Sequence, residues 1–568
     1  MTPRAPLLAL LLLSCNGKDE TDDSAGPQGW TPDLYCPGDP SGVCDSNEGA
    51  LSAGAAALSI VPDCFEAFED LDDDAEWDRD EPFLDCGCDR LCPEDDGYPG
   101  PDAGEGDGDF QAIWLAGFQH NRPATGVHDP IWARAVVFDQ GDTRVGILVL
   151  DVVGLFYDEV LRIREGVDAA GLDVDHLLVL SSHNHEGPDA VGLWGRTETV
   201  SGVNPEWMDK VVSQSVEAVR QSVSGLREVG EFKVGHVDAS SYSDVGILNV
   251  LQDKRDPKVV DVTFSAAILR DTSGDTIATL AHFGNHPESI ADENSDITSD
   301  YLNALREGLE SGVEYDAYTR DGYGGVALYL TGTVGGMMTP LGLTITDGDG
   351  VERREYSHER TEALGKVKAE MAMDAIDQGQ VVTDARISAA RTTFYMPVEN
   401  WGFQALFLSG VLARETYDWD PAQPVSDENM PKVLTEMDHL AIGPIEMLTI
   451  PGELLPELAI GGYDGSAVGT TLQEIVDADN PNPPDLSQAP SGPYLKDMVQ
   501  SEHTWIIGLA NDELGYIVPP YNFILDEVNP WFDEAEGDHY EETNSIGFSA
   551  APTIQEKAEV LLDWVYAQ

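Results

Sequence analysis

Basic residues are scarce in this chain of 568 residues. Its 31 lysines and arginines stand against 104 aspartates and glutamates, which gives a formal net charge of -73. A surface of that charge repels nucleic acid and anionic membranes, so the composition excludes a nucleic-acid-binding protein. Two catalytic signatures are missing as well. Neither a G-x-S-x-G elbow nor an H-E-x-x-H helix occurs, which argues against a serine hydrolase and a zinc-helix protease.

Long hydrophobic runs are absent after the N-terminus. Residues 7–14 read LLALLLLS behind one early charge, Arg4, and this run is too short to span a bilayer but typical of an export signal. Because LLSC resembles a bacterial lipobox, we expect residues 1–14 to be a lipoprotein signal peptide and Cys15 to be lipidated. Residues 15–50 form an acidic flexible tether. We expect an exported, membrane-anchored bacterial lipoprotein, periplasmic or on the cell surface; an ordinary cleaved signal is the alternative.

Cysteine is missing after residue 92. An even number of cysteines in an exported chain predicts disulfides, and six cysteines allow 15 pairings. The Cys86-Gly-Cys88 spacing leaves metal binding as a minority alternative. Apart from Cys15, the cysteines are Cys36, Cys44, Cys64, Cys86, Cys88 and Cys92.

Residues 63–108 form an acidic, cysteine-rich insertion. Oxygen-bearing side chains fall there at positions 1, 3, 5, 7, 9 and 12 of an EF-hand-type loop. Ligands at alternate positions can surround one hard cation, so the spacing predicts Ca²⁺ binding, with a merely acidic loop as the alternative. The position that usually holds glycine is Ala75. The six candidates are Asp70, Asp72, Asp74, Glu76, Asp78 and Glu81.

Strand-like and helix-like patterns alternate from Phe110 onward, after an early strand over Leu51–Pro62. This alternation predicts one α/β domain over residues 51–568, with a layered mixed sheet flanked by helices. Predicted strands are Arg144–Val153, His176–Ser182, Val259–Leu269, Thr276–Gly284, Val326–Thr331, Ile445–Pro451 and Trp505–Ala510. Predicted helices are Asp158–Ala170, Glu206–Val223, Asp300–Glu310, Glu359–Ile376 and Ile554–Tyr566.

Four of the strand-like runs end in side chains that can bind a metal or move a proton. They end at His183 and His185, at His286, at Glu453 and at Tyr516. Sites in open α/β sheets form outside the carboxyl ends of the strands. Zinc at a catalytic site takes about three protein ligands and lowers the pKa of bound water to about 7.

We therefore expect His183, His286 and Glu453 to hold one Zn²⁺ ion. Tyr516 is either a fourth ligand or a hydrogen-bond donor to a developing oxyanion. Asp151, at the end of another run, is expected either to orient a ligand imidazole or to make a hydrogen bond at the sheet end. A structural role for the histidines is the alternative.

Six sequence blocks in fixed order carry a family resemblance. They are GVHDPIWARAVVF (126–138), SSHNHEGP (181–188), FGNHPESI (283–290), VGGMMTP (334–340), IPGEL (450–454) and GLANDELGYIV (508–518). Together they resemble the neutral ceramidase family, the neutral or alkaline non-lysosomal ceramidases, over about residues 51–568. That family binds one catalytic zinc and hydrolyses the amide of N-acylsphingosine.

The resemblance implies a role for each matched residue. His183, His286, Glu453 and Tyr516 would form the zinc shell. His185 would lie near the activated water or the substrate and pass a proton to the leaving amine. His128 would line the same pocket, Tyr540 would polarise the scissile carbonyl, and Thr339 stands where the family has a serine hydroxyl.

Other positions depart from the family pattern. Glu186 places a charge in the SHNHEGP block. No basic residue stands near residues 243–245, where the family has one, and Arg255 is the nearest candidate. The resemblance stops before the family's C-terminal immunoglobulin-like domain, which we do not expect here.

We conclude from the sequence that the chain is an exported zinc-dependent amidohydrolase that cleaves a ceramide-like N-acyl lipid. Its partners would be that lipid and the membrane that holds Cys15. Two alternatives remain. One is a hydrolase of a different ester or amide, and the other is a non-catalytic, calcium-binding surface lipoprotein on the same fold.

Overall fold

The computed structural model describes residues 34–36, 49–72 and 74–567. The predicted signal peptide, Cys15 and most of the predicted tether lie outside these residues. The strands are β1 Leu34–Tyr35, β2 Ser52–Ser59, β3 Gly126–Val127, β4 Trp132–Gln140, β5 Thr143–Leu150, β6 His176–Ser181, β7 Arg227–Asp238, β8 Gln252–Asp253, β9 Thr263–Asp271, β10 Thr276–Phe283, β11 Asp296–Ile297, β12 Gly312–Glu314, β13 Thr319–Asp321, β14 Val326–Thr331, β15 Met338–Thr339, β16 Ile345–Thr346, β17 Glu352–Arg353, β18 Gln380–Val381, β19 Ile387–Pro397, β20 Lys432–Ile442, β21 Ile445–Thr449, β22 Glu453–Leu454, β23 His503–Ile507 and β24 Tyr516–Ile517. The helices are α1 Tyr157–Ala169, α2 Pro205–Ser224, α3 Tyr301–Glu310, α4 His358–Gln378, α5 Trp401–Ser409, α6 Pro456–Ile460, α7 Leu495–Met498, α8 Tyr540–Thr543 and α9 Ala550–Tyr566.

The larger sheet has nine strands and is mixed. Its order is β14-β10-β9-β7-β2-β4-β5-β6, with β18 paired to β7. The pairs β5–β6 and β10–β14 are parallel, whereas the other pairs are antiparallel. The smaller sheet has the order β1-β19-β20-β21-β23, and its β21–β23 pair is parallel. Leu34 and Tyr35, which lie in the predicted tether, pair with β19 in this sheet.

The two sheets pack face to face, and helices cover their outer faces. One apolar core joins β4, β5, β6, β9 and β10 to β19, β20, β21 and β23, with Trp505 fully buried. A second core packs α3 and α4 onto β9 and β10, and a third packs α9 onto the smaller sheet. Burying one large apolar side chain contributes about 1.5–3 kcal/mol, so these cores hold the layers together. The predicted layered α/β fold is confirmed.

Helix α2 shows how the local sequence sets an element. Asn204 caps its first turn, accepting a hydrogen bond from the Trp207 N–H at 3.0 Å, and Pro205 occupies the first helical position. An apolar stripe along this helix is buried at Met208, Val211 and Val219, against β2 and β4. The stripe is thus core.

The cysteine-rich insertion is closed by disulfides. Cys64 pairs with Cys88 and Cys86 pairs with Cys92, which selects among the pairings that the sequence left open. Cys36 is also disulfide-bonded. In the part of the chain that the structure describes, no helix is both long and apolar enough to cross a bilayer.

Candidate metal centre

The segments that follow the parallel strands meet at one edge of the two sheets. The Gly332 N–H after β14 donates to the Phe283 carbonyl at the end of β10 (3.0 Å). The Gly508 N–H after β23 donates to the Thr331 carbonyl (3.0 Å), and Leu180 of β6 bridges to Ala510. These backbone bonds bring together the loops that carry the candidate ligands.

Three buried side chains from distant parts of the sequence converge at this edge. Glu453 Oε2 lies 3.2 Å from His183 Nε2 and 3.3 Å from His286 Nε2. The rings of His183 and His286 have centroids 4.6 Å apart. Two donor atoms that each lie about 2.0–2.1 Å from a tetrahedral zinc are separated by about 3.3–3.4 Å. The observed separations match that spacing.

The backbone fixes which nitrogen of each imidazole faces the centre. His183 Nδ1 lies 2.6 Å from the Val153 carbonyl, and His286 Nδ1 lies 3.0 Å from the Met338 carbonyl. Each Nδ1 must carry the proton that is shared with its carbonyl, which leaves Nε2 as a lone-pair donor. His183 also adopts a left-handed backbone conformation (φ 66°), an uncommon one that functional sites often contain.

His185 completes a group of three histidines. One ring nitrogen from each of His183, His185 and His286 lies within 4.8 Å of the others. The backbone on either side of His185 is held by the Pro287 carbonyl and by the buried guanidinium of Arg122. Gly117 leaves room for the ring, because a Cβ atom there would approach His185 Cβ to 2.5 Å.

Glu453 and Tyr516 are cross-strand neighbours. Strands β22 and β24 form a parallel pair in which Glu453 is in register with Tyr516. The Tyr516 hydroxyl lies 3.4 Å from Met337 Sδ, and the Tyr516 ring packs edge-on against Tyr540 with centroids 6.0 Å apart. Burial and the adjacent Glu453 carboxylate raise the pKa of Tyr516, so its hydroxyl keeps its proton.

The donor set fits a divalent metal. Five buried atoms have no hydrogen-bond partner among the described residues: His183 Nε2, His286 Nε2, both ring nitrogens of His185 and Glu453 Oε2. Leaving a buried polar atom unsatisfied costs about 1–3 kcal/mol. A cation at a common centre would satisfy His183 Nε2, His286 Nε2 and Glu453 Oε2 together.

The charges of the group match that interpretation. Burial opposes ionisation of Glu453, yet His183 and His286 outweigh it and hold the pKa of Glu453 well below its ordinary value. Burial, together with the neighbouring His183 and His286, lowers the pKa of His185 well below its ordinary value. Burial opposes protonation of His183, yet the adjacent Glu453 carboxylate outweighs it and raises the pKa of His183 to about 9. A metal ion between them would take the place of that proton, because ligating imidazoles are neutral and ligating carboxylates are anionic.

A further carboxylate, Glu288, lies beside the three histidines. It is buried, its Oε2 lies 3.5 Å from His185 Nδ1, and its Oε1 has no hydrogen-bond partner in the described part of the chain. Burial raises the pKa of Glu288, and the nearby His286 and Thr339 oppose that rise. Thr339 is buried in β15 next to this carboxylate. A buried carboxylate this close to an imidazole nitrogen can hold the His185 ring in one orientation.

We predict that Glu288→Gln lowers amide hydrolysis by roughly 10–100-fold, because it removes the carboxylate that holds the His185 ring, and leaves zinc affinity close to that of the wild type. Steady-state kinetics measure the turnover, and a titration against a chromophoric chelator measures the affinity. The matched control is Glu502→Gln, which changes an exposed glutamate. Equal turnover by Glu288→Gln and the wild type would contradict this role.

Several residues predicted from sequence lie elsewhere. His128 is exposed and stacks on His358 with ring centroids 3.4 Å apart, outside the lining of the pocket described below. Arg255 is buried, but its guanidinium pairs with Glu541 and Glu542. Asp151 accepts two hydrogen bonds from Arg306 and one from the Trp132 N–H, so it makes sheet-end bonds rather than orienting an imidazole.

An apolar pocket opens beside the histidines and Glu453. Its cavity volume is about 80 Å³, and its lining includes His183, His185, Glu453, Tyr516 and Tyr540. The remaining wall is largely apolar, with Phe156, Val191, Leu193, Trp194, Phe403 and Phe407. The arrangement places a metal-binding group at the wall of a cavity suited to hydrocarbon.

Sequence reasoning missed three charged residues here, Glu288, Arg122 and Arg414, whereas Glu513 follows the same apolar run as Tyr516. Glu288 lies beside His185, and Arg122 pairs with Glu186 at 3.1 Å. Glu513 and Arg414 line the pocket, and the Arg414 guanidinium bonds to Asp512 and to the Glu513 carbonyl. Glu288 lies within the FGNHPESI block, two residues after His286, whereas Arg122 and Arg414 lie outside the quoted blocks.

The acidic loop brings together only part of its predicted calcium set. Carboxylate oxygens of Asp70, Asp72 and Asp74 lie within 4.8 Å of one another. Both Glu81 oxygens instead accept backbone N–H groups, from Leu71 and Asp78. Ala75 takes the left-handed conformation (φ 61°) that glycine supplies in EF-hand loops. Calcium binding stays a prediction.

Comparison with known proteins supports the fold. No family model matches the chain, and no curated protein matches it. Among solved structures, it is similar to the neutral ceramidase from Pseudomonas aeruginosa, with a TM-score of 0.58 and 12% identity over 92% of this chain and 75% of that one. A ceramidase complexed with C2 gives a TM-score of 0.55 and 14% identity, with the same coverage. The neutral-ceramidase-like fold implied by the sequence blocks is confirmed.

Proposed function

We propose that the chain is a zinc-dependent amidohydrolase that cleaves a ceramide-like N-acyl lipid. The convergence of His183, His286 and Glu453 at the spacing of a tetrahedral site supports this proposal most strongly. The fold shared with solved ceramidases supports the same reaction class. The third histidine of the group, His185, is available for proton transfer.

His183, His286 and Glu453 would hold the zinc ion, with Tyr516 at its edge. When bound, zinc supplies a Lewis acid and lowers the pKa of water that it binds. The hydroxyls of Tyr540 and Tyr516, which lie at the pocket wall with their protons retained, would donate hydrogen bonds to the oxygen of the scissile carbonyl. His185, which is neutral before the reaction, would take a proton from the attacking water and pass it to the leaving amine, so that it ends neutral again.

The apolar pocket supports a lipid substrate. Its aromatic and aliphatic wall begins at the metal-binding group, so an acyl chain can lie along it while the amide reaches the histidines. Water is poorly held by such a wall, which strengthens the hydrogen bonds that the tyrosines make inside.

A panel of N-acyl amides of increasing chain length tests this substrate class. Each methylene buried in the pocket contributes about 0.8 kcal/mol, so kcat/KM should rise roughly fourfold per methylene until the pocket is full. Esters with the same acyl chain and head group are the matched substrates, and His286→Ala is the inactive control. Turnover of the esters alone would favour the alternative of a hydrolase with a different substrate. The proposal would be contradicted if no amide were turned over.

We also propose that the chain is exported and carries a lipid on Cys15. The short apolar run and the LLSC segment support this proposal. Metabolic labelling with a fatty acid, compared between the wild type and Cys15→Ser, tests it. Label in both chains or in neither would contradict lipidation at Cys15.

A further inference from the structure

Large apolar side chains are exposed on two segments that also supply residues of the pocket lining. Helix α5 is one of these segments, and residues 523–548 are the other. The exposed fractions of these side chains are 80% for Val528, 65% for Phe532, 58% for Leu408, 56% for Trp401 and 53% for Phe548. We call these five residues the rim patch. Single exposed apolar residues are ordinary, but a group of this size marks an interaction site.

The rim patch is continuous with the pocket. On α5, Trp401 and Leu408 are seven residues apart and share the outer face, whereas Phe403 and Phe407 line the pocket from the same helix. The Phe532 ring reaches α5, since a Cβ atom added at Gly402 would lie 3.9 Å from Phe532 Cε1. The outer face of α5 therefore forms part of the rim patch, and its inner face forms part of the pocket wall.

The two sides of the patch are tied together. The Asn400 side chain caps α5 and donates to the carbonyls of Thr543 and Ser545, both at 2.9 Å. Phe523 packs against both Trp531 and Phe548, with ring centroids 5.6 Å and 6.4 Å away. The patch is thus a fixed part of the pocket rim.

The negative charge around the rim patch disfavours a partner with an anionic surface. Residues 497–556 contain no lysine or arginine, and residues 526–538 contain six carboxylates: Asp526, Glu527, Asp533, Glu534, Glu536 and Asp538. Each basic side chain near a bilayer contributes about 1 kcal/mol to binding anionic lipids, and residues 497–556 provide no basic side chain. Carboxylates beside Val528 and Phe532 would repel an anionic headgroup layer.

We propose that the rim patch docks on a lipid bilayer with a zwitterionic, electrically neutral surface, so that substrate passes from the bilayer into the pocket without crossing water. Tryptophan and phenylalanine suit the headgroup boundary, and leucine and valine reach the acyl chains. The inference rests on the proposed lipid substrate for its purpose, but the docking itself is a binding event that is independent of catalysis.

Vesicle flotation of the full chain tests the docking, with Cys15→Ser as the background so that no lipid anchor contributes. We expect binding to phosphatidylcholine vesicles and weaker binding when phosphatidylglycerol is added. Trp401→Ser, Leu408→Ser and Phe532→Ser should each weaken binding about tenfold, because each loses the burial of one large apolar side chain. Leu472→Ser, which changes another exposed leucine (62%), should not.

Turnover of a short-chain, water-soluble N-acyl amide separates docking from catalysis. The three rim variants should keep wild-type turnover of this substrate and lose turnover of the same amide embedded in vesicles. The proposal would be overturned if the chain that carries only Cys15→Ser failed to float, or floated only with phosphatidylglycerol. Unchanged flotation of the rim variants would overturn it as well. A dimer that the rim variants dissociate would assign the patch to a second copy of the chain and would overturn it too.

Discussion

Replacing His286 with alanine is expected to lower hydrolysis of an N-acyl amide by roughly a thousandfold or more, because the Lewis acid that its ring helps to hold contributes several kcal/mol to the transition state. His286 Nε2 lies 3.3 Å from Glu453 Oε2 and has no other partner in the described chain. The variant should also lose bound zinc. Steady-state kinetics and elemental analysis of the same preparation measure both losses.

His236→Ala is the matched control for this experiment. His236 is an exposed histidine on β7, and its ring neighbours His503. Its loss should change neither zinc content nor turnover. If His286→Ala kept wild-type turnover, the three-residue centre would not be the site of the reaction.

The largest effect on stability is expected at Arg255. Its guanidinium, 2% exposed, lies 2.6 Å from Glu541 and 2.8 Å from Glu542, and it also donates to the Asn522 carbonyl. Arg255→Met would leave the buried Glu541 without a counter-charge and the buried Glu542 with only the neighbouring His539 imidazole. Breaking a buried pair in this way typically costs about 3–5 kcal/mol. A urea unfolding series should therefore show a large fall in the unfolding midpoint.

Arg220→Met provides the comparison. Arg220 forms a surface ion pair with Glu217 on α2, and such pairs contribute about 0–1 kcal/mol. Its midpoint should stay close to that of the wild type. Because Glu541 and Glu542 belong to α8, which begins at Tyr540, Arg255→Met should also reduce turnover in the fraction that remains folded. Equal midpoints for the two variants would contradict the assigned role of Arg255.

Much of the fold follows from local sequence pattern. The predicted strand Val326–Thr331 has the bounds of β14, and the predicted helices Glu206–Val223 and Asp300–Glu310 each differ from the observed bounds by one residue per end or less. These segments carry a clear apolar period. Helix α5 was not predicted because its sequence, WGFQALFLS, is apolar on both faces and nine residues long. Its outer apolar face meets no core.

The site was predictable only where a strand end carried the ligand. His183, His286 and Glu453 each follow an apolar run, so chain direction alone brings them to one edge. Glu288 stands two residues after His286 in the FGNHPESI block, but only its burial beside His185 shows that it belongs to the site. His128 was placed in the pocket by resemblance. Its backbone N–H instead bonds to the Ile297 carbonyl at 2.9 Å, beside the β3–β11 pair, and its side chain is exposed.

Metal content tests the central claim most directly. Elemental analysis of the purified wild-type chain should find about one zinc per chain. Dialysis against a chelator should remove both the zinc and the amide hydrolase activity, and adding zinc back should restore both. Calcium alone, or no stoichiometric transition metal in a folded and active chain, would contradict the claim that His183, His286 and Glu453 hold the ion on which the reaction depends.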